Sequence, residues 1–189
     1  SSVNCHFFGF VMIYKKLKVE GMVSMVSYLY FQDCIIQDQN ILQKMIEVKI
    51  FNKVPNLKIK DFNLCELVHL LLKEKSYEKI NLNFIFCKNK TLNAFKLKYF
   101  KDDVLTDIVT FPIRNDSELE AEIYISHEMA SSNAKRFKVS LNNEISRLII
   151  HGILHLIGFD DTSEVNKKIM FEKQEQLLSN YKKQICYEI

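Results

Sequence analysis

The chain is poor in the residues that punctuate or staple small folds. Its 189 residues hold four Gly, two Pro and no Trp. So little Gly and Pro excludes collagen-like and low-complexity chains. Arginine is almost missing: the cations are 23 Lys and three Arg (Arg114, Arg136 and Arg147). Lys meets phosphate as a mobile point charge, so the bidentate fork of Arg is nearly absent. A net charge of +3 and a pI of about 8.5 are weakly basic. They permit a nucleic-acid partner but fall short of the usual signature, a pI above about 9 with clustered cations. The five cysteines (Cys5, Cys34, Cys65, Cys87 and Cys186) are odd in number, far apart and never in a CxxC pair. That fits reduced thiols in a cytoplasm rather than a secreted disulfide frame. The same spacing excludes a zinc ribbon.

Long apolar runs are missing too. Residues 6–14 (HFFGFVMIY) are apolar, but Lys15, Lys16 and Lys18 follow them, whereas a signal peptide carries its charge first. The run is far short of the ~20 residues of a membrane span. A second patch, residues 22–31, contains Ser24 and Ser27 and ends at Gln32-Asp33. Neither reads as transmembrane. Residues 1–44 are expected to be an N-terminal extension, or sequence upstream of the true start, with Met12, Met22, Met25 and Met45 as possible starts.

What is present is an ordinary globular composition, 48% hydrophobic and 26% charged. The length suits one domain of roughly 100–200 residues. A chain of this size buries about 70% of its unfolded surface and needs no structural metal. A metal here would therefore serve chemistry.

Residues 47–51 (EVKIF) read as a strand, β-branched and aromatic. Asp61 is the expected cap of a helix with Leu64, Leu67, Val68, Leu71 and Leu72 on one face and Lys73 to Lys75 closing it. Ile80, Leu82, Phe84 and Phe86 alternate as in a strand. Residues 106–112 (TDIVTFP) read as a strand stopped by Pro112, and 121–126 as a fourth. Helices are expected over 128–137, 141–156 and 164–183. No internal repeat is visible. Strands early and helices late predict an α+β domain: a small mixed sheet of about four strands packed with helices.

The informative stretch is residues 151–161, HGILHLIGFDD. His151 and His155 lie four apart, which on a helix puts both imidazoles on one face, one turn apart. Gly158 suits the helix end, where glycine turns without a Cβ penalty. The returning chain brings Asp160 or Asp161 back toward the same face. Two His nitrogens and a carboxylate leave a fourth position for water, the open arrangement of a catalytic zinc site. Zinc so held brings the pKa of its water to about 7. A buried structural pair is the competing reading, but two unpaired imidazoles among Ile and Leu would need hydrogen-bond partners that a shared metal makes unnecessary.

This stretch resembles the metal motif of the YbeY family, H-G-x-L-H-L-x-G-x-D-H, at His151, Gly152, Leu154, His155, Leu156, Gly158 and Asp160. Residues 106–112 resemble the family's T-D-V-L-S-F-P strand, and 121–126 its G-D/E-I-x-I-S strand. Met170 and Glu175 are similar to residues of its last helix, and Leu92-Asn93 to a family Leu-Asn offset by about three residues. The resemblance spans roughly 45–181, so 45–189 are expected to form the YbeY-like domain. It implies a zinc-dependent, single-strand-specific endoribonuclease in the cytoplasm. The implied work is rRNA maturation at the small-subunit 3′ end and ribosome quality control. The implied partners are rRNA and the small ribosomal subunit, with no membrane and no nucleotide cofactor. The alternative is a non-catalytic ribosome-assembly factor with a structural zinc.

Two departures matter. The family's third metal-binding His falls at Asp161, so the expected metal set is His151, His155 and Asp161, holding one Zn2+ per chain. A carboxylate ligand would lower the site's positive charge and make bound water a weaker acid. Asp160 would then orient a ligand or cap the turn. The family's Arg six residues before the T-D pair is replaced by Phe100, after Tyr99. Lys96, Lys98 and Lys101, read as solvated loop lysines, are the nearby cations. Gly152 stands where a zincin carries its Glu base, which weighs against peptide hydrolysis. Asp107 is the candidate general base, with a structural role as its competing reading. His127 reads as a cap or surface residue, and Lys135, Arg136 and Lys138 as a solvated helix end. Lys167-Lys168 and Lys182-Lys183 read as ordinary surface. Phe84, Phe86 and Tyr124 are expected in the core, and Cys87 is expected to be inert.

Overall fold

A computed structural model describes residues 3–6, 45–101 and 105–189. Apart from His6, the apolar runs at 6–14 and 22–31 lie outside the described residues. Among those described, no helix is long and apolar enough to cross a membrane.

Seven strands and five helices are described: β1 (Val3–His6), β2 (Met45–Asn52), β3 (Leu57–Ile59), α1 (Asp61–Leu72), β4 (Lys79–Cys87), α2 (Asn89–Phe100), β5 (Ile108–Asn115), β6 (Glu118–Ser126), α3 (His127–Phe137), α4 (Leu141–Leu156), α5 (Glu164–Asn180) and β7 (Cys186–Glu188). The main sheet has the order β1-β2-β4-β6-β5. Strands β2, β4 and β6 are parallel, while β1 and β5 run antiparallel at the two edges. The four expected strands are all there, in a mixed sheet within an α+β fold. Beyond them are β1 at one edge and a separate β3-β7 pair.

The alternation of β2, β4 and β6 turns Val48, Ile50, Leu82, Phe84, Phe86, Ile123 and Ile125 onto one face, all buried. Helix α4 crosses this face and is apolar almost all round: Ile145, Leu148, Ile149, Ile150, Ile153, Leu154 and Leu156 are buried in the same cluster. A helix with so wide an apolar surface belongs in the core. Ser140, Ser163 and Ser126 cap α4, α5 and α3, each accepting a hydrogen bond from a first-turn N–H. The opposite sheet face carries α2 and a smaller cluster of Ile85, Cys87 and Leu92. Tyr124 lies there, stacked on Phe95 with ring centroids 4.4 Å apart, and not with Phe84 and Phe86. Burial pushes the Cys87 thiol up to about 11, as befits an inert cysteine.

Four expectations need correction. Strand β5 does not stop at Pro112 but runs to Asn115. It is an edge strand with a register shift between Pro112 and Arg114, a place where a missing N–H costs no ladder bond. Asp61 is the first residue of α1 and not its cap, which is Lys60 with no side-chain capping bond; its charge suits the helix start. Lys96 and Lys98 sit on α2, and Lys101 ends it in the left-handed region, so they are not loop lysines. Residues 88–101 hold five Lys and no acid, and among the described side chains of α2 Leu92 alone is in the core, so the helical period is hard to see. Helix α5 stops at Asn180 rather than 183: Tyr181 turns extended and buries its ring.

Candidate metal centre

The last turn of α4 and the turn after it build the site. Ile157 closes the helix and Gly158 follows at φ +94°. The Gly158 N–H bonds the His155 carbonyl at 3.1 Å and the Phe159 N–H bonds the Leu154 carbonyl at 3.0 Å. This paired closure is the Schellman motif, and it needs a residue comfortable at positive φ. It folds the chain back so that His151, His155 and Asp161 each offer a ligand atom, all within 4.8 Å of one another. Both imidazoles are half-buried and Asp161 is exposed.

The hydrogen bonds decide what the two rings can do. His155 Nδ1 lies 3.1 Å from the Phe159 carbonyl, which can only accept, so Nδ1 carries the proton. His151 Nδ1 lies 3.1 Å from Gln174 Oε1, with the Gln174 amide nitrogen donating to Glu175 at 3.3 Å. In the neutral rings both Nε2 atoms are then bare, and they face each other at 3.1 Å. Two lone pairs pointed together repel unless a cation stands between them. Nitrogens about 2.0–2.1 Å from one tetrahedral zinc stand roughly 3.3 Å apart, so the donor set fits such an ion. Burial, with His155 alongside, holds the His151 pKa below the usual imidazole value and keeps the ring neutral, as ligation requires.

The two consecutive aspartates part company. Asp160 Oδ1 accepts from the Thr162 N–H at 3.1 Å, the Thr162 hydroxyl at 2.6 Å and Asn166 at 3.1 Å. Those bonds lower its pKa and commit it to the turn that starts α5. Asp161 remains beside the imidazoles.

Asp107 lies at the junction of two cavities, of about 320 and 410 Å3, which share Thr106, Asp107 and His151. Its Oδ2 accepts from Asn133 at 2.8 Å. His127 opens α3 and pairs with Glu188 at 2.8 Å, a surface tether of the C-terminal strand. The residues that sequence reading missed are Gln174, Asn133 and the Arg147 cluster. Arg147 pairs with buried Glu144 at 2.9 Å and with Glu175 at 3.0 Å. Their only advance signal was Glu175, and that came through the family resemblance.

Gly152 has a separate structural task. A Cβ there would stand 2.8 Å from Thr110 Oγ1 and 2.9 Å from Ile108 Cδ1, so glycine lets α4 lie close on β5. Gly152→Ala should lose about 1–2 kcal/mol net. Overpacking of typically 1–3 kcal/mol outweighs a helix-propensity gain of up to about 1. Urea denaturation checks this; a stabilised variant would mean β5 yields freely.

An α+β fold with an HxxxH pair at the end of a buried helix, an acid returned by a glycine turn and a cleft beside them defines a class of small metal-site proteins. Comparison with known proteins is more specific. The model of the family described as endoribonuclease YbeY matches residues 49–182. An endoribonuclease YbeY of Amoebophilus asiaticus is 37% identical over 123 residues, 65% of this chain and 81% of that one. One from Chlorobaculum tepidum is 33% identical over 131 residues, 69% of this chain and 95% of that one. A Thermotoga maritima protein solved in solution matches with a TM-score of 0.53 and 26% identity, over 71% of this chain and 88% of that one. The chain belongs to the YbeY family of endoribonucleases.

Proposed function

We propose that this chain cuts single-stranded RNA, using one Zn2+ held by His151, His155 and Asp161 in the domain 45–189, with 1–44 as an N-terminal extension. The observation that carries the reading is the pair of bare Nε2 atoms at 3.1 Å, each fixed by a protonated Nδ1 on a fixed acceptor. A cation bound there supplies Lewis acidity toward a phosphoryl oxygen or toward the attacking hydroxyl. The protein's own groups do the rest. Gln174 and the Phe159 carbonyl orient the rings. Asp107, steadied by Asn133 and open to both cavities, is placed to take the proton of the nucleophile, whether water or a ribose 2′-hydroxyl. Gly152 offers no carboxylate, so a zincin-like base is missing and peptide is the poorer substrate. The biological substrate we infer is rRNA near the small-subunit 3′ end, met on the small ribosomal subunit in the cytoplasm, in ribosome quality control as well as maturation.

The test is cleavage of labelled single-stranded and duplex RNA, with metal content read by elemental mass spectrometry on protein that has seen no nickel column. Expected are about one zinc per chain, cleavage of the single strand and loss of cleavage with chelator. Zinc without cleavage of any RNA would turn the reading to a ribosome-assembly factor with a structural metal.

The ligand set has its own test. Asp161→Ala should weaken zinc binding about 10-fold or more, while Asp160→Ala frees Thr162 and Asn166 and lowers stability with zinc affinity nearly unchanged. The reverse pattern in a zinc titration would make Asp160 the ligand.

A further inference from the structure

Of the three arginines, two are spoken for. Arg114 pairs with Glu118 at 2.6 Å, and Arg147 with Glu144 and Glu175. Arg136 makes no ion pair among the described residues. It is exposed near the end of α3, and its guanidinium lies 5.2 Å from the ring centroid of Phe137, itself 50% exposed. An uncommitted guanidinium beside an exposed ring is more than a solvated helix end, because both line the 410 Å3 cavity that also reaches His151. That volume is in the range of about 300–1,000 Å3 typical of ligand sites. The cavity's acids do not cancel Arg136. Glu144 is tied to Arg147 at 2.9 Å, and Asp107, which with His151 also lines the neighbouring cavity, accepts from Asn133 at 2.8 Å. The exposed Arg136–Phe137 part of the lining is therefore cationic and aromatic, with Lys135 and Lys138 flanking it in sequence.

Resting on the endoribonuclease reading above, we propose that this cavity binds a nucleotide next to the scissile bond, with the Arg136 guanidinium on its phosphate and the Phe137 ring against its base. Guanidinium matches phosphate bidentately, and an aromatic ring stacks on any base, so the site would be tolerant of sequence.

Binding of a 2′-O-methyl single-stranded oligonucleotide to the full metal-loaded chain, followed by fluorescence anisotropy, tests this. A gel confirms that the probe stays intact. Arg136→Ala should weaken binding about 10-fold and reduce the slope of log K on log salt by about 0.7, one phosphate's worth for a single strand. Arg136→Lys should keep that slope while binding less tightly than wild type. Phe137→Ala should weaken binding at least about fivefold with the slope unchanged. Arg114→Ala, outside both cavities, should bind as wild type. If Arg136→Ala and Phe137→Ala both bind like wild type, the subsite is overturned and the endoribonuclease reading stands. If the wild type neither binds nor cuts RNA, both readings fall together.

Discussion

Replacing His155 with alanine is expected to strip the metal and lower RNA cleavage by about 10³-fold or more, with the fold retained. A catalytic metal supplies several kcal/mol of charge stabilisation in the transition state, and each ~1.4 kcal/mol is tenfold in rate. His155 contributes one of the two facing Nε2 atoms, so its loss leaves His151 and Asp161 alone. The structural cost is small. The ring is half-buried, and its removal frees only the Phe159 carbonyl, in a turn open to water. A hydrogen bond of that kind is worth about 1 kcal/mol, or roughly 2–4 °C of Tm at this chain length. Elemental mass spectrometry reads the metal, thermal unfolding of metal-free protein reads the fold, and single-turnover cleavage reads the rate. Full zinc retention in folded His155→Ala would remove it from the site. Collapse of the metal-free variant would mean the ring is there for the core.

The second large effect lies two turns earlier on α4, at Arg147. Glu144 is 2% exposed, and its partner is Arg147 at 2.9 Å. Burial already raises the Glu144 pKa, Arg147 opposes that, and Asp107 adds to it. Arg147→Met removes the compensating cation and leaves a buried carboxylate, a loss of typically about 3–5 kcal/mol. The carboxyl then holds its proton to higher pH in the folded state, while the unfolded chain ionises near the ordinary value of about 4.3. Above that value the folded chain binds more protons than the unfolded one, so stability falls as pH rises, until the folded group ionises too. The variant should therefore be less damaged at pH 5 than at pH 8, as read by urea denaturation at both. Adding Glu144→Gln should recover a large part of the loss at pH 8. An equal loss at both pH values would place the damage in packing of the Arg147 stem instead of in the charge.

The two aspartates show where reading of the sequence gave way to geometry. Residues 160 and 161 are chemically identical neighbours, and both follow Gly158. Which one faces the imidazoles depends on how Thr162 and Asn166 bind Asp160, which is settled only once α5 has a direction. Pro112 makes the same point for the fold. A proline ends a central strand but is tolerated on an edge, and sheet order is not written in the strand itself. Helix α2 escaped notice because its lysines mask a helix in which Leu92 is the one deeply buried side chain among those described.

What the sequence alone determined is what short-range geometry determines. A four-residue spacing puts His151 and His155 on one helix face whatever surrounds them, and Gly158 marks the left-handed turn because its backbone permits φ +94° at little cost. The alternation of β4 and β6 likewise sets which side chains share a face. Only the tertiary structure decided which imidazole nitrogens are bare, because the acceptor on His151, Gln174, lies 23 residues further along the chain. Only the tertiary structure brought Asn133 to Asp107, Glu175 to Arg147, and Arg136 to the cavity beside His151. Those contacts join separate elements, and no local period encodes the distance between elements that meet only when the core is packed.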